Sequence, residues 1–380
     1  MTKVEINQIA YTAGRESRVG PPCGLVSNRS GSCLILSLRH MGDVVISTGF
    51  IRALQKANPN LSVDVLGRPE LNEVFAAMCP VRQYVEIDLP VFGHHRKDRA
   101  AMRAAFSVIV KLRRHRYDYC VNLIGDVREC FVGWLLKSTW NIAPIWGNGH
   151  LYKDKMTDRF APLFVNCGVV IPGEIESYYD SLTYFAGKLG LSDLDWQHAR
   201  QRVECAGSRC CIALHPGASH PSRHWPVAKW KQLMNKLYAR GNDLVLFGAP
   251  RECGRLRADF ADEIQDLKMA VVAGDIARFR DNLSQVDLLI GMDSFSVHLA
   301  HALSLQTVVL NGSSDPRILA PPGSIGISAG HLCEDYPCNY KYPCKSQTHE
   351  YICCRGIEVD AVIDAVEQLK RDAPRERRSR

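Results

Sequence analysis

The sequence predicts an α/β protein built from two doubly wound, largely parallel sheets, one in each of two domains. Three observations carry that expectation. Short runs of aliphatic and β-branched residues alternate with longer amphipathic segments, the order that successive βαβ units produce. Most of those runs are continuously apolar, as strands covered on both faces require. The series also starts twice, at Cys33–Leu38 and again at Cys210–Leu214, after the polar stretch Asp193–Ser208.

In chain order, residues 1–30 are polar and rich in Gly, Pro and Arg, without the apolar core of a signal peptide. They are expected to form a disordered extension. A first domain over 31–200 holds the strands Cys33–Leu38, Ser62–Leu66 and Tyr119–Ile124. After Asp43, the residues Val45, Ile46, Gly49, Phe50, Ala53 and Leu54 recur at helical spacing. A second domain over 208–356 holds Cys210–Leu214, Asp243–Phe247, Asp287–Ile290 and Thr307–Leu310, with a helix carrying Trp230, Leu233, Met234 and Leu237 after Pro226. The amphipathic segment 357–372 is expected to pack back across the first domain, and 373–380 is a basic tail. Two such domains facing each other would place a ligand cleft at the carboxyl ends of both sheets.

Hydrophobic residues make up 46% of the 380 and charged residues 23%, an ordinary globular composition. No stretch approaches the ~20 apolar residues of a membrane span, so a cytoplasmic protein is expected, peripheral at the inner membrane at most. The formal charge of +7 gathers in a segment from His94 through Arg96, Arg99 and Arg103 to Arg116 and in the tail after Arg371. Such patches attract phosphate groups on glycans or anionic lipids, or are simply solvated helix faces. No nucleic-acid-binding signature accompanies them.

Four loops carry the candidate chemistry, each leaving the carboxyl end of an expected strand. The turn Arg39-His40-Met41-Gly42-Asp43 puts a carboxylate near a helix N-terminus. Asp43 there is either a helix cap or a general base. The run Gly291-Met292-Asp293-Ser294-Phe295-Ser296 leads into an apolar helix containing His298, and a helix N-terminus is a natural diphosphate site. His215-Pro216-Gly217-Ala218 is followed by Arg223, which can bind phosphate bidentately. Glu252, after Gly248-Ala249-Pro250-Arg251, is either a ribose ligand or a helix-start carboxylate.

Together these loops resemble glycosyltransferase family 9, the ADP-heptose heptosyltransferases of lipopolysaccharide core assembly. The matching pieces are Met41-Gly42-Asp43-Val44, His215-Pro216-Gly217-Ala218, Arg223-His224-Trp225-Pro226, Gly248-Ala249-Pro250, Asp293-Ser294, His298-Leu299-Ala300 and Ser314-Asp315-Pro316. The resemblance implies a GT-B fold of two Rossmann-like domains, an inverting transfer without a catalytic metal, and ADP-heptose as donor. It implies a phosphorylated glycan or glycolipid as acceptor. By position Asp43 matches the family's base. Arg223 falls where a phosphate-binding Lys is usual and Glu252 near a nucleoside ligand, while Asp293, Ser294 and His298 match the donor loop. Arg39, His40, Arg96 and Arg99 are the residues expected to meet the acceptor. One departure is Phe295, standing where the family loop has glycine. It either supplies its N–H from a less permissive backbone or stacks on the adenine or sugar.

Three other readings stay open: a heptosyltransferase acting on protein hydroxyls, a non-catalytic nucleotide-sugar-binding protein, and a nucleotide-sugar epimerase of the same fold. Fifteen cysteines are present. Cys333, Cys338, Cys344 and Cys353 group late in the chain, without paired CxxC spacing. They read as free thiols in a reduced loop or as a structural zinc or iron site. Cys210-Cys211 reads as a pair of small buried hydrophobes within a strand.

Overall fold

The computed structural model describes residues 30–89, 99–146, 160–191, 194, 209–339, 344 and 350–372. The chain divides into two compact units, 1–197 and 198–380, and the stretch 193–208 contains the division. The expected N-terminal extension, the basic tail and Arg96 lie outside the described residues, apart from Ser30 itself.

The first unit is a six-stranded sheet of β1 (Gly31–Ser37), β2 (Leu61–Gly67), β3 (Gln83–Glu86), β4 (Tyr119–Asn122), β5 (Trp140–Trp146) and β6 (Cys167–Ile171). Its order is β3-β2-β1-β4-β5-β6, with every pairing parallel. The second unit holds β7 (Cys211–His215), β8 (Asp243–Gly248), β9 (Ala270–Ala273), β10 (Leu288–Met292), β11 (Gln306–Leu310) and β12 (Ile325–Ile327). Its sheet runs β12-β11-β10-β7-β8-β9, again wholly parallel. Read from its other edge, that is the same order as the first. Both are the 3-2-1-4-5-6 order of dinucleotide-binding sheets, which accept ligands where the winding reverses. Those switch points lie between β1 and β4 and between β7 and β10.

Parallel strands buried on both faces need continuous apolar sequence. Residues 33–36 of β1 and 288–292 of β10 are accordingly all buried. In the first unit the helices Arg99–Arg113 and Val127–Leu136 bury Ala105, Ile109, Leu112, Val132 and Leu136 against β1 and β2 residues. In the second, Trp225 and Trp230 meet edge to face at 5.2 Å beside Leu233, Met234 and Leu237 of helix Val227–Ala239.

The C-terminal helix Val359–Asp372 corrects an expectation. Its apolar face, Val359, Val362, Ile363, Val366 and Leu369, is buried in the core of the second unit rather than used on the first. Polar ties fix it there: Trp225 Nε1 donates to Ile357 O at 3.0 Å, Lys236 reaches Asp360 at 2.5 Å, and Lys370 donates to Asn242 at 2.8 Å. Cys210 is a second correction. The strand begins one residue later, and Cys210 is disulfide-bonded, whereas Cys211 is a free, half-buried thiol.

Candidate active site

In the second unit, the loops after β7, β8 and β10 bring most of the expected donor-site residues together. His215 ends β7, and its Nδ1 shares a 2.9 Å hydrogen bond with Ser296 Oγ, which in turn lies 3.2 Å from Ser294 Oγ. Burial pushes the imidazole down to about 4, against the opposing pull of the Glu252 charge. The ring is therefore neutral near pH 7 and can exchange hydrogen bonds with hydroxyls. Two residues on, a side chain at Gly217 would place its Cβ 2.6 Å from Glu252 Oε2. Glycine is what lets the β7 loop run against that carboxylate. Glu252 also accepts the Ala249 N–H at 3.1 Å, which holds the β8 loop in shape.

Asp293 follows β10 and is buried. Its Oδ2 accepts the Ser314 hydroxyl at 2.5 Å and lies 4.0 Å from Arg223 Nε. Arg223 closes the short turn Pro221–Arg223, whose serine Ser222 shares a hydrogen bond with Ser313 at 3.1 Å. Ser294 is the extended N-cap of helix Phe295–Ala302. The positive end of that helix thus lies beside a guanidinium, a combination that suits a diphosphate. His298 is buried further along the same helix, and burial, followed by the nearness of His298, holds His301 down at about 4.

Phe295 is the first residue of that helix, and its backbone is not in the left-handed region. Replacing glycine therefore brings no backbone strain here. Its ring meets Phe279 at 6.1 Å, and Phe279 also packs edge to face on His215 at 5.6 Å. Phe279 is a site residue that sequence reasoning missed. It is the buried aromatic of helix Ile276–Leu283, and no motif marks it.

In the first unit, helix Met41–Ala57 starts directly after the β1 loop Leu38-Arg39-His40. Asp43 Oδ2 accepts the His40 N–H at 3.2 Å, so the carboxylate does act as part of a cap. Its Oδ1 accepts no hydrogen bond among the described residues. The loop is fixed from the switch-point neighbour. Leu38 N–H donates to Glu129 Oε1 at 3.1 Å, and Arg39 Nη1 binds Asp126 Oδ2 at 2.9 Å. Arg39 therefore works as a tether here, and the acceptor role expected of it meets a guanidinium already engaged. His40 and Arg99 are exposed, the latter opening helix Arg99–Arg113.

Asp126 and Glu129 carry no sequence signal, yet they are the groups under the Asp43 loop. Burial would raise Asp126, but the hydrogen bonds and charges of Arg128 and Arg39 hold it below the usual range. Glu129 is fully buried and its Oε2 has no partner. Burial lifts it to about 8, with Arg39 opposing and the Asp126 and Asp43 charges adding.

The late cysteines lie close enough for Cys333, Cys338 and Cys344 to add to the effect of burial in pushing the Cys353 thiol up to about 12. Among the described residues, however, no group of three or more His, Cys, Asp or Glu is arranged to hold a metal ion. No helix among them is long and apolar enough to cross a membrane.

Residues 105–351 match the family described as glycosyltransferase family 9 (heptosyltransferase). Lipopolysaccharide heptosyltransferase 3 of Escherichia coli is 23% identical over 292 residues, covering 73% of this chain and 82% of that protein. Among solved structures, the E. coli heptosyltransferase WaaC with ADP superposes with a TM-score of 0.66 at 16% identity, over 89% of this chain and 99% of that one. The family 9 glycosyl transferase of Veillonella parvula does so with 0.65 at 17% identity, over 93% and 100%. These likenesses establish the fold, and the matched span covers well over half the sequence. The chain belongs to glycosyltransferase family 9.

Proposed function

We propose that this chain transfers a heptose from ADP-heptose to a hydroxyl of a lipopolysaccharide core or related surface glycan, with inversion and without a catalytic metal. The carrying observation is the donor cradle of the second unit: Arg223 beside Asp293, the N-terminus of helix Phe295–Ala302, and the hydroxyls of Ser294 and Ser296 held by a neutral His215. Support for the donor comes from WaaC, whose structure is described as holding ADP. Support for the glycan comes from the lipopolysaccharide heptosyltransferases among the relatives.

In this reading Asp43 takes the proton of the acceptor hydroxyl through Oδ1. The freed oxygen lone pair attacks the anomeric carbon as the bond from that carbon to the diphosphate oxygen breaks. ADP leaves with the bonding electrons, and Arg223 and the helix N-terminus stabilise the charge that builds on it. One displacement inverts the anomeric centre. Glu252 takes a ribose hydroxyl, and Arg99 and His40 are the side chains offered to an anionic acceptor.

The test is Asp43→Asn, assayed with ADP-heptose and a heptose-deficient core acceptor in the presence of EDTA. Loss of a general base costs about 10²–10⁴-fold. Turnover should fall by that much while ADP affinity stays at the wild-type value. An Asp43→Asn enzyme that keeps wild-type turnover removes Asp43 from the role. Transfer onto a protein hydroxyl instead would move the acceptor to another class.

A further inference from the structure

The helix Arg99–Arg113 buries one side, Ala105, Ile109 and Leu112, against the first sheet. A second set of apolar residues on it remains outside. Met102 is 51% exposed, Phe106 60% and Val110 36%. These three stand four residues apart and so share a single stripe. Arg99, Arg103, Lys111 and Arg113 of the same helix are exposed as well, and Arg114 and Arg116 follow it. The helix contains no acidic residue. None of these six cations forms an ion pair with a described residue, although the unit uses Arg39, Arg82 and Arg128 in such pairs.

An exposed apolar stripe costs solvation without helping the fold, and unpaired like charges beside it repel one another. Both costs vanish on a surface that is apolar inside and anionic at its rim. A basic helix with aromatic and aliphatic residues on one face is the form that lies in a bilayer interface. The neighbouring helix Val127–Leu136 adds exposed aromatic surface, with Phe131 at 42%, Trp134 at 51%, and the two rings 5.8 Å apart.

We propose that the helix Arg99–Arg113 docks the first unit onto an anionic lipid surface, with Met102, Phe106 and Val110 entering the interface and the flanking Arg and Lys side chains binding headgroup phosphates. This rests on the charge complementarity and on the unpartnered stripe, and it deepens the proposed function by bringing the enzyme to a lipid-linked acceptor.

The experiment is sedimentation of the full-length protein with vesicles of phosphatidylcholine alone and with vesicles in which about a third of the lipid is phosphatidylglycerol. Binding is expected to the anionic vesicles only, and to weaken as salt rises. Met102→Ser with Phe106→Ser should weaken it by about tenfold or more. Arg103→Gln with Lys111→Gln and Arg113→Gln should weaken it on the order of 100-fold. Transfer to a water-soluble acceptor fragment should be unchanged in both variants, which separates this proposal from the reaction itself. Equal binding to both vesicle types, or no binding, overturns it. Self-association that the serine variant abolishes, without vesicle binding, would give the stripe to a second copy of the chain and equally overturn it.

Discussion

Replacing Glu129 by glutamine should stabilise the first unit, and only at neutral and alkaline pH. In the folded chain this carboxyl is fully buried with Oε2 unpartnered, and burial lifts it from 4.5 to about 8. Its unfolded value is the ordinary one. Between those values the folded chain holds a proton that the unfolded chain has released, so stability falls as pH rises through that window. Below 4.5 both states are protonated and the stabilising contribution is complete. Above 8 it is lost. At about 1.4 kcal/mol per pH unit, the loss is roughly 3 kcal/mol at pH 7 and approaches about 5 kcal/mol by pH 9. The amide introduced by Glu129→Gln would keep an oxygen for the Leu38 N–H and never ionise. Denaturant unfolding of wild type and Glu129→Gln should therefore coincide near pH 4.5 and diverge by about 3 kcal/mol at pH 7. Parallel stabilities across that range would refute the reasoning and mean that Arg39 keeps the buried carboxylate ionised. Glu129→Ala should instead destabilise near pH 4.5 by about 1–3 kcal/mol, because it leaves the buried Leu38 N–H without an acceptor, and that deficit should close as pH rises and wild type loses the contribution of its own carboxyl.

Two further outcomes follow from the second unit. Gly217→Ala forces a Cβ to within 2.6 Å of Glu252 Oε2. The carboxylate must swing away from the β7 loop, and ADP affinity should drop several-fold in calorimetry while Gly254→Ala, with open space around it, leaves affinity unchanged. His215 and His301 are both held down at about 4 from 6.5 by burial first. Their contribution to stability is complete above 6.5 and is lost as pH falls through 4, by roughly 3 kcal/mol each. His301→Gln should remove about half of that acid loss in denaturant unfolding between pH 7 and pH 4.

How much was legible in the sequence differs by element. The central strands β1, β2, β4, β7, β8, β10 and β11 announce themselves, because burial on both faces demands largely apolar runs, even around the buried Asp64 of β2. The overlooked strands β3, β6, β9 and β12 are the sheet edges. β3 has no buried residue and β12 is half-exposed throughout, so neither carries a clear hydrophobic signal. Strand β5 hid behind Pro144. A proline argues against a central strand, yet β4 pairs with β5 only as far as Ile142, while β6 continues to Trp146. Pro144 therefore sits where the strand has a single ladder neighbour.

The site divides in the same way. Asp43, His215, Gly217, Arg223, Asp293 and Ser294 follow apolar runs closely, and a loop leaving the end of a strand at a switch point is a place that sequence order can identify. Asp126, Glu129 and Phe279 belong to helices or their caps. Glu129 reads in Val127–Leu136 as an ordinary helix carboxylate, and only the approach of Leu38 makes it an acceptor. The C-terminal helix shows the same limit: its amphipathic period states that one face is buried, not against which sheet.

Calorimetric titration of the protein with ADP, GDP and UDP in EDTA tests most directly whether the second unit binds an adenosine diphosphate sugar through Arg223 and the N-terminus of helix Phe295–Ala302. Metal-independent binding that prefers ADP is expected, falling about 10-fold or more in Arg223→Ala, the worth of a charge-assisted phosphate contact. Binding of none of the three, or ADP affinity untouched by Arg223→Ala, would contradict it.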